Sequence, residues 1–243
     1  GHGIPADVLE RLTAESRAFF DQPDDRKTRI KRHGTNFGGP TYVPINSESL
    51  GALDGEEGQA DLKESIDVAP RHLGDQWCAG TETLQEAWAD AFNAYEALAG
   101  DLRALFCIAA GLPRDALEDA FRKHASTIRS LNYPEVQGRL KAGQVRAGEH
   151  TDYSAFTVIR GDDAPGLQAR ALDGTWVDAP AVPGSFVVNI GDLLMRWTND
   201  RWISTPHRVV CLEDAEFSPR RQSIAFFHNP GAHAVIEVMA PFV

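Results

Sequence analysis

Residues 146–156 read "RAGEHTDYSAF", and the reading of fold and chemistry turns on the His-x-Asp inside them. Side chains two apart on an extended strand project from one face, so His150 and Asp152 point together while Thr151 faces away. The surrounding text is strand-like. From about Thr127 onward, short β-branched and aromatic runs follow one another: "STIRSLNY", "SAFTVIR", "GLQARAL", "TWVDA", "SFVVNI", "WISTPHRVV", "RQSIAFFH" and "AVIEVMA". Turn signals separate them at Asp173-Gly174, Gly191-Asp192 and Ser218-Pro219. Many short strands at close spacing predict a sandwich or barrel.

The half before this core reads as helical. Pro5 suits a first helical turn, and Val8, Leu9, Leu12, Phe19 and Phe20 form an apolar stripe. Residues 33–61 are irregular and read as a long functional loop. After "GTET", with Thr81 or Thr83 as cap, the apolar positions Leu84, Trp88, Phe92, Tyr95, Leu98, Leu102, Leu105 and Ala109 recur every three or four residues and predict one long amphipathic helix. Gly111 ends it, and Pro113 opens a shorter helix to about Lys123. The expected architecture is α+β with a mainly β core: 1–243 as one domain, mostly helical over 1–125, with the β core over 126–243.

Composition narrows the function classes. The 243 residues are 42% hydrophobic and 24% charged, enough for one sizeable core. A net charge of −11 argues against nucleic acid as a partner, because phosphates call for a basic face. No apolar run approaches the roughly 20 residues of a membrane helix. Cys78, Cys107 and Cys211 are odd in number and far apart, which excludes a disulfide framework and fits a reducing, cytoplasmic setting. The opening "GHGIPADVLERL" lacks signal-peptide regions and reads as starting inside a domain, so the termini are expected to be trimmed.

A metal held by His150 and Asp152 needs a third ligand from another strand. His207 in "STPHRVV" lies in a strand-like run, whereas His228 and His233 flank Pro230-Gly231. Two imidazoles and one carboxylate leave open positions that suit non-haem iron(II), and zinc accepts the same donors. A second pair, Arg221 and Ser223 in "RRQSIAFF", shares one strand face and can hold a carboxylate. Arg220 points the other way, toward solvent.

Taken together, His150-Thr151-Asp152, His207 and Arg221-Gln222-Ser223 resemble the isopenicillin N synthase-like family of iron(II)/2-oxoglutarate dioxygenases. The connecting text "GLQAR", "VVNIGDLLMRWTNDRWISTPHRVV" and "RQSIAFFHNP" is similar as well, as are "GHGIP", "TYVPINSESL" and "DLKESIDV" upstream. The resemblance implies a double-stranded β-helix, or jelly roll, with packed N-terminal helices. It implies iron(II) on His150, Asp152 and His207, and 2-oxoglutarate held by Arg221, Ser223 and Tyr133, with oxygen as the other co-substrate. Leu131 stands where plant members carry Asn, and Asn132 faces the opposite side. The implied reaction oxidises a C–H bond of a small molecule (hydroxylation, desaturation or cyclisation) while 2-oxoglutarate becomes succinate and carbon dioxide, in a role such as secondary metabolism. No catalytic group beyond the metal ligands is implied. An oxidase of the isopenicillin N synthase type, working without 2-oxoglutarate, and a non-catalytic binding protein on the same fold are the alternatives. Candidate substrate contacts are Phe37, Tyr42, Phe156, Arg160, Trp197 and Phe227. Arg160 is expected on the face of Asp152, to pair with a substrate carboxylate or with Asp162. Glu149 should point away from the metal. Oligomeric state is left open.

Overall fold

The apolar stripe at the start of the chain folds as α1 (Ala6–Phe20), which buries Leu9, Leu12, Phe19 and Phe20. A computed structural model describes residues 1–30, 41–51, 60–69, 81–138, 144–211 and 217–243. A short α2 (Asp24–Lys27) follows. The long helix is α3 (Glu82–Ala109), with Thr81 in the N-cap position and Leu84, Trp88, Phe92 and Tyr95 buried. Its inward stripe continues through Leu98, Leu102 and Phe106, while Leu105 is 59% exposed. A 3.6-residue period carries the inward position four residues past Leu102 rather than three. At the helix end Gly111 has φ +74°. The Leu112 amide donates to Cys107 and the Gly111 amide to Ile108, the paired closure that favours glycine just past a helix. The segment opened by Pro113 is helical only over α4 (Glu118–Phe121).

Among the described residues, twelve strands build the core: β1 (Thr41–Val43), β2 (Glu64–Val68), β3 (Thr127–Tyr133), β4 (Val136–Gln137), β5 (Ala147–His150), β6 (Phe156–Gly161), β7 (Leu167–Arg170), β8 (Trp176–Asp178), β9 (Val187–Ile190), β10 (His207–Val209), β11 (Phe217–Ser218) and β12 (Arg221–His228). One sheet of six strands runs β1-β2-β3-β12-β6-β9, a second of four runs β5-β10-β7-β8, and β11 pairs with β4 alone. The pairings between described strands are antiparallel.

Alternation along β12 divides two environments. Ile224, Phe226 and His228 face the helices, where the Phe226 ring meets Phe92 and Tyr95. Arg221, Ser223, Ala225 and Phe227 face inward, toward His150, Leu167, His207 and Val209 of the smaller sheet. The two sheets thus enclose a cavity between them, the double-stranded β-helix, with α1 and α3 packed outside the larger sheet.

Several expectations need correction. The described part of 1–125 is mostly helical, but the β sheet is not confined to 126–243, because β1 and β2 extend the larger sheet. Part of the region read as loop, Thr41–Val43, is strand. "AVIEVMA" forms no strand. Val235 and Val238 are 71% and 39% exposed while Ile236 and Met239 pack on the core, and the chain ends in a 3-10 turn at Ala240–Phe242. Apolar residues alone do not make a strand where no neighbouring edge supplies hydrogen bonds. Gly191-Asp192, read as a turn, starts a helix, α5 (Asp192–Trp197). Asp173-Gly174 does sit in the β7–β8 hairpin, with Gly174 at φ +88° and the Asp173 carboxylate accepting the Thr175 amide. Cys107 and Cys211 are free thiols. Among the described residues, no helix is long and apolar enough to cross a membrane.

Candidate metal centre and co-substrate cavity

His150 ends β5 and His207 opens β10, and antiparallel pairing sets them opposite each other. Their rings lie 4.3 Å apart. Asp152 is not on a strand. It lies in the bend between β5 and β6, and the start of α5 shapes that bend. The amides of Asp192 and Leu193 donate to the carbonyls of Asp152 and Ser154 at 2.8 and 3.2 Å. Gly191 permits this approach, since a β-carbon there would fall 2.0 Å from the Ser154 oxygen.

Asp152 Oδ1 then stands 4.0 Å from His150 Nε2 and 3.8 Å from His207 Nε2. One ligand atom from each residue lies within 4.8 Å of the others. Every remaining donor and acceptor is committed elsewhere. His150 Nδ1 is 2.8 Å from the Gly148 carbonyl and His207 Nδ1 is 3.0 Å from that of Thr205, which leaves each Nε2 with its lone pair. Asp152 Oδ2 accepts from Thr157 Oγ1 at 2.6 Å and Asn189 Nδ2 at 2.7 Å. Thr157 and Asn189 are register partners across β6 and β9, so the two donors are aimed as a pair. Burial, and then the neighbouring His207, push the His150 pKa down to about 4, so this imidazole is neutral and metal-ready at ordinary pH. The donor set fits a divalent cation that keeps open positions.

Across the cavity, Arg221 and Ser223 project together as expected, with Arg221 Nη1 3.2 Å from Ser223 Oγ. Tyr133 is the register partner of Arg221 and its ring lies 5.0 Å beneath the guanidinium. Arg221 is 3% exposed and its Nε has no hydrogen-bond partner among the described residues. A buried guanidinium with an idle donor fits an incoming carboxylate. Leu131, Ala147, Leu167, Val209 and Ala225 form an apolar wall between this end and the metal ligands.

An outer vestibule of about 390 Å³ borders His150 and Asp152, within the range of small-molecule sites. Its rim carries Glu48, Asp67, Arg129 and Tyr153. Arg129 binds Asp67 through Nε and Nη2 at 2.5 and 2.8 Å. Lys63 reaches Asp61 at 2.6 Å and Glu48 at 3.1 Å. Burial pushes the Glu48 carboxyl up, but Arg129 and Lys63 outweigh it and hold its pKa below the usual value.

Of the six candidate substrate contacts, Phe227 lines both the cavity and the vestibule. Phe37 lies outside the described residues. Tyr42, Phe156 and Trp197 are buried in the helix-side core, and Tyr42 donates to Glu64. Arg160 is corrected in position. Thr157 and Ile159 take the cavity face of β6, so Arg160 faces outward and donates to Leu9 O and Thr13 Oγ1 of α1, both at 2.6 Å. Alternation does not run through the bend at Asp152, because β5 and β6 belong to different sheets. Arg220 is likewise not simply solvated: it binds Asn132 and Asp21 at 2.6 Å. Glu149 turns away from the metal toward Arg170, as expected, and Asn132 turns to Glu64 on the helix side. Thr157, Asn189, Lys63 and Arg129 were not anticipated. Asn189 inside the β-run "SFVVNI" was the one local signal, a polar residue in an apolar strand.

A facial His-Asp-His group facing a carboxylate-seeking arginine defines a non-haem iron oxygenase site on a jelly roll. Comparison with known proteins agrees. The profile of the 2OG-Fe(II) oxygenase superfamily matches residues 124–230, and that of the non-haem dioxygenase in morphine synthesis N-terminal region matches residues 1–91. The 2-oxoglutarate-Fe(II) type oxidoreductase ppzC of Metarhizium majus is 34% identical over 98% of this chain and 70% of its own length. Validamycin A dioxygenase of Streptomyces hygroscopicus subsp. limoneus is 29% identical over 99% of this chain and 69% of its own. A full-length Neurospora crassa protein crystallised with alpha-KG superposes with a TM-score of 0.87 at 30% identity, over 99% of this chain and 77% of that one. The chain belongs to the 2-oxoglutarate/iron(II)-dependent dioxygenase family. It is an enzyme that uses iron(II), 2-oxoglutarate and oxygen, and the comparisons support neither the oxidase nor the non-catalytic alternative.

Proposed function

We propose that residues 1–243 act as one dioxygenase unit in which His150, Asp152 and His207 hold the iron and Arg221, Ser223 and Tyr133 hold the distal carboxylate of 2-oxoglutarate. The observation that carries this reading is a buried Arg221, its Nε without a hydrogen-bond partner among the described residues, lining the same cavity as the triad from the other sheet. Bound iron couples oxidative decarboxylation of 2-oxoglutarate, giving succinate and carbon dioxide, to oxidation of a substrate C–H bond.

The chain's own groups do the positioning. The Gly148 and Thr205 carbonyls fix both imidazole tautomers, and Thr157 with Asn189 turns Asp152 so that Oδ1 alone faces the histidines. Arg221 and Ser223 orient the carboxylate by a charge-assisted contact. The apolar wall excludes water between the two ends. Phe227 and Leu50 border both the cavity and the vestibule, so a substrate seated in the vestibule presents its C–H bond across them. Selectivity then lies in how the vestibule holds the substrate. The substrate is a small molecule and the setting secondary metabolism, a role supported by the likeness to validamycin A dioxygenase. A cytoplasmic location is supported by the free thiols.

The test is anaerobic titration of the iron(II)-loaded protein with 2-oxoglutarate, following the visible charge-transfer band of a chelated keto acid. A band that saturates, and that needs far more 2-oxoglutarate in Arg221→Ala, is the expected result. Bound iron without a band, or an Arg221→Ala titration that matches wild type, overturns the assignment.

A further inference from the structure

Arg146 has no role in the site as described, yet it is a charged side chain enclosed beside it, with 1% exposure. It directly precedes β5, and its amide donates to the Val209 carbonyl at 3.0 Å, so its backbone belongs to the sheet that carries both histidines. Its side chain crosses to the other sheet. Nη2 donates to the carbonyls of Pro134 at 3.2 Å, Ser218 at 3.4 Å and Pro219 at 2.5 Å.

Those three carbonyls flank one register pair. Pro134 follows Tyr133, the last residue of β3, and Ser218-Pro219 lead into Arg221, the first residue of β12; Tyr133 and Arg221 are partners. The β3–β12 ladder stops there, and the chains continue as the separate β4–β11 pair. Proline has no N–H to donate, so Pro134 and Pro219 cannot carry the ladder across the gap. The Arg146 guanidinium supplies donors where the backbone has none. Its own Nε is buried without a partner among the described residues, as is that of Arg221. The bonds to Ser218 and Pro219 hold the Arg146 guanidinium beside the start of β12, and burial, with Arg221 adding to it, lowers the Arg146 pKa.

We propose that Arg146 is a positioning residue for 2-oxoglutarate: it clips the strand ends that carry Tyr133 and Arg221, and it places a second buried positive charge beside the start of β12. This rests on the assignment of Arg221 to the distal carboxylate. Arg146 itself touches neither co-substrate nor metal.

The test compares binding of 2-oxoglutarate and 2-oxobutyrate to the iron(II)-loaded protein under anaerobic conditions. The two share the keto-acid head, and 2-oxobutyrate lacks the distal carboxylate. In Arg146→Gln the Kd for 2-oxoglutarate should rise roughly tenfold or more, with the Kd values for 2-oxobutyrate and for iron staying within about twofold of wild type. Arg146→Lys keeps a buried charge and should show a smaller rise with the same selectivity. It decides the matter if the glutamine variant does not fold. An unchanged preference for 2-oxoglutarate, or an equal weakening of both keto acids, overturns the proposal. If the wild-type protein itself binds both keto acids equally, the Arg221 assignment has failed instead.

Discussion

Replacing Thr157 by Val removes one hydroxyl, changes the side-chain shape little, and strips Asp152 Oδ2 of one of its two donors. The bond is short, at 2.6 Å, and Thr157 is fully buried, so water cannot replace the lost donor. A hydrogen bond to a charged group contributes about 1.5–3 kcal/mol. The Ser154 hydroxyl, 3.0 Å from Thr157 Oγ1, loses a partner as well. The carboxylate then hangs from Asn189 alone and is free to turn Oδ1 away from the histidines. At about 1.4 kcal/mol per tenfold, and in line with losses at groups that orient metal ligands, iron(II) affinity should fall about 10- to 100-fold. Anaerobic competition against a chelator of known affinity measures it. Because Thr157 and Asn189 donate to the same oxygen, Thr157→Val and Asn189→Ala should be non-additive in a double-mutant cycle. Iron affinity within about twofold of wild type, together with an unchanged Tm, would refute the claim that this pair orients Asp152.

Three further outcomes are expected. Gly191→Ala drives a β-carbon to 2.0 Å from the Ser154 carbonyl and 2.9 Å from that of Asp152; it should cost about 1–3 kcal/mol of stability and weaken iron binding, read by denaturant unfolding and chelator competition. Arg160→Ala loses both bonds to α1, so Tm should drop while the Kd for 2-oxoglutarate stays put; the reverse pattern would return Arg160 to the site. His228 is held near a pKa of about 3 by burial and then by Arg103. The unfolded chain therefore binds its proton first, and stability should fall as pH drops from about 6.5 toward 3, by up to about 1.4 kcal/mol per pH unit. His228→Gln should flatten that acid limb in a Tm-against-pH series, and an unaltered slope would assign it to other groups.

The triad and the Arg-x-Ser pair were legible because strand alternation and a few rare residue types carry most of their information. Even so, the grouping of the triad follows from the sequence by a partly wrong route. Asp152 shares the aim of His150 through a bend fixed by α5, not through a continuous strand. The same assumption of continuity misplaced Arg160. Thr157 and Asn189 were out of reach for a different reason. Their partnership exists only once β6 and β9 are in register, and no local pattern encodes which distant strand will lie alongside. Helix positions were read well where the 3.6-residue period is long and clean, as in α3, and poorly where a short helix such as α5 follows a glycine. The terminal "AVIEVMA" shows the converse error: strand-like composition is not sufficient without an edge to join.

The division of labour between the two sheets makes the protein a gauge of length. Both histidines sit on the smaller sheet and Arg221 with Ser223 on the larger, and face-to-face sheets keep a nearly constant spacing of about 10 Å. On the assignment proposed for Arg221, a keto diacid must bridge that fixed interval to satisfy both ends at once. A chain one carbon shorter leaves the arginine unanswered, and one carbon longer must buckle against the apolar wall. Choice of co-substrate is then a property of the barrel's thickness, carried by residues that never meet the ligand, while, with substrate seated in the vestibule as proposed, its choice is left to the rim at Glu48, Asp67 and Arg129. One can be altered without retuning the other.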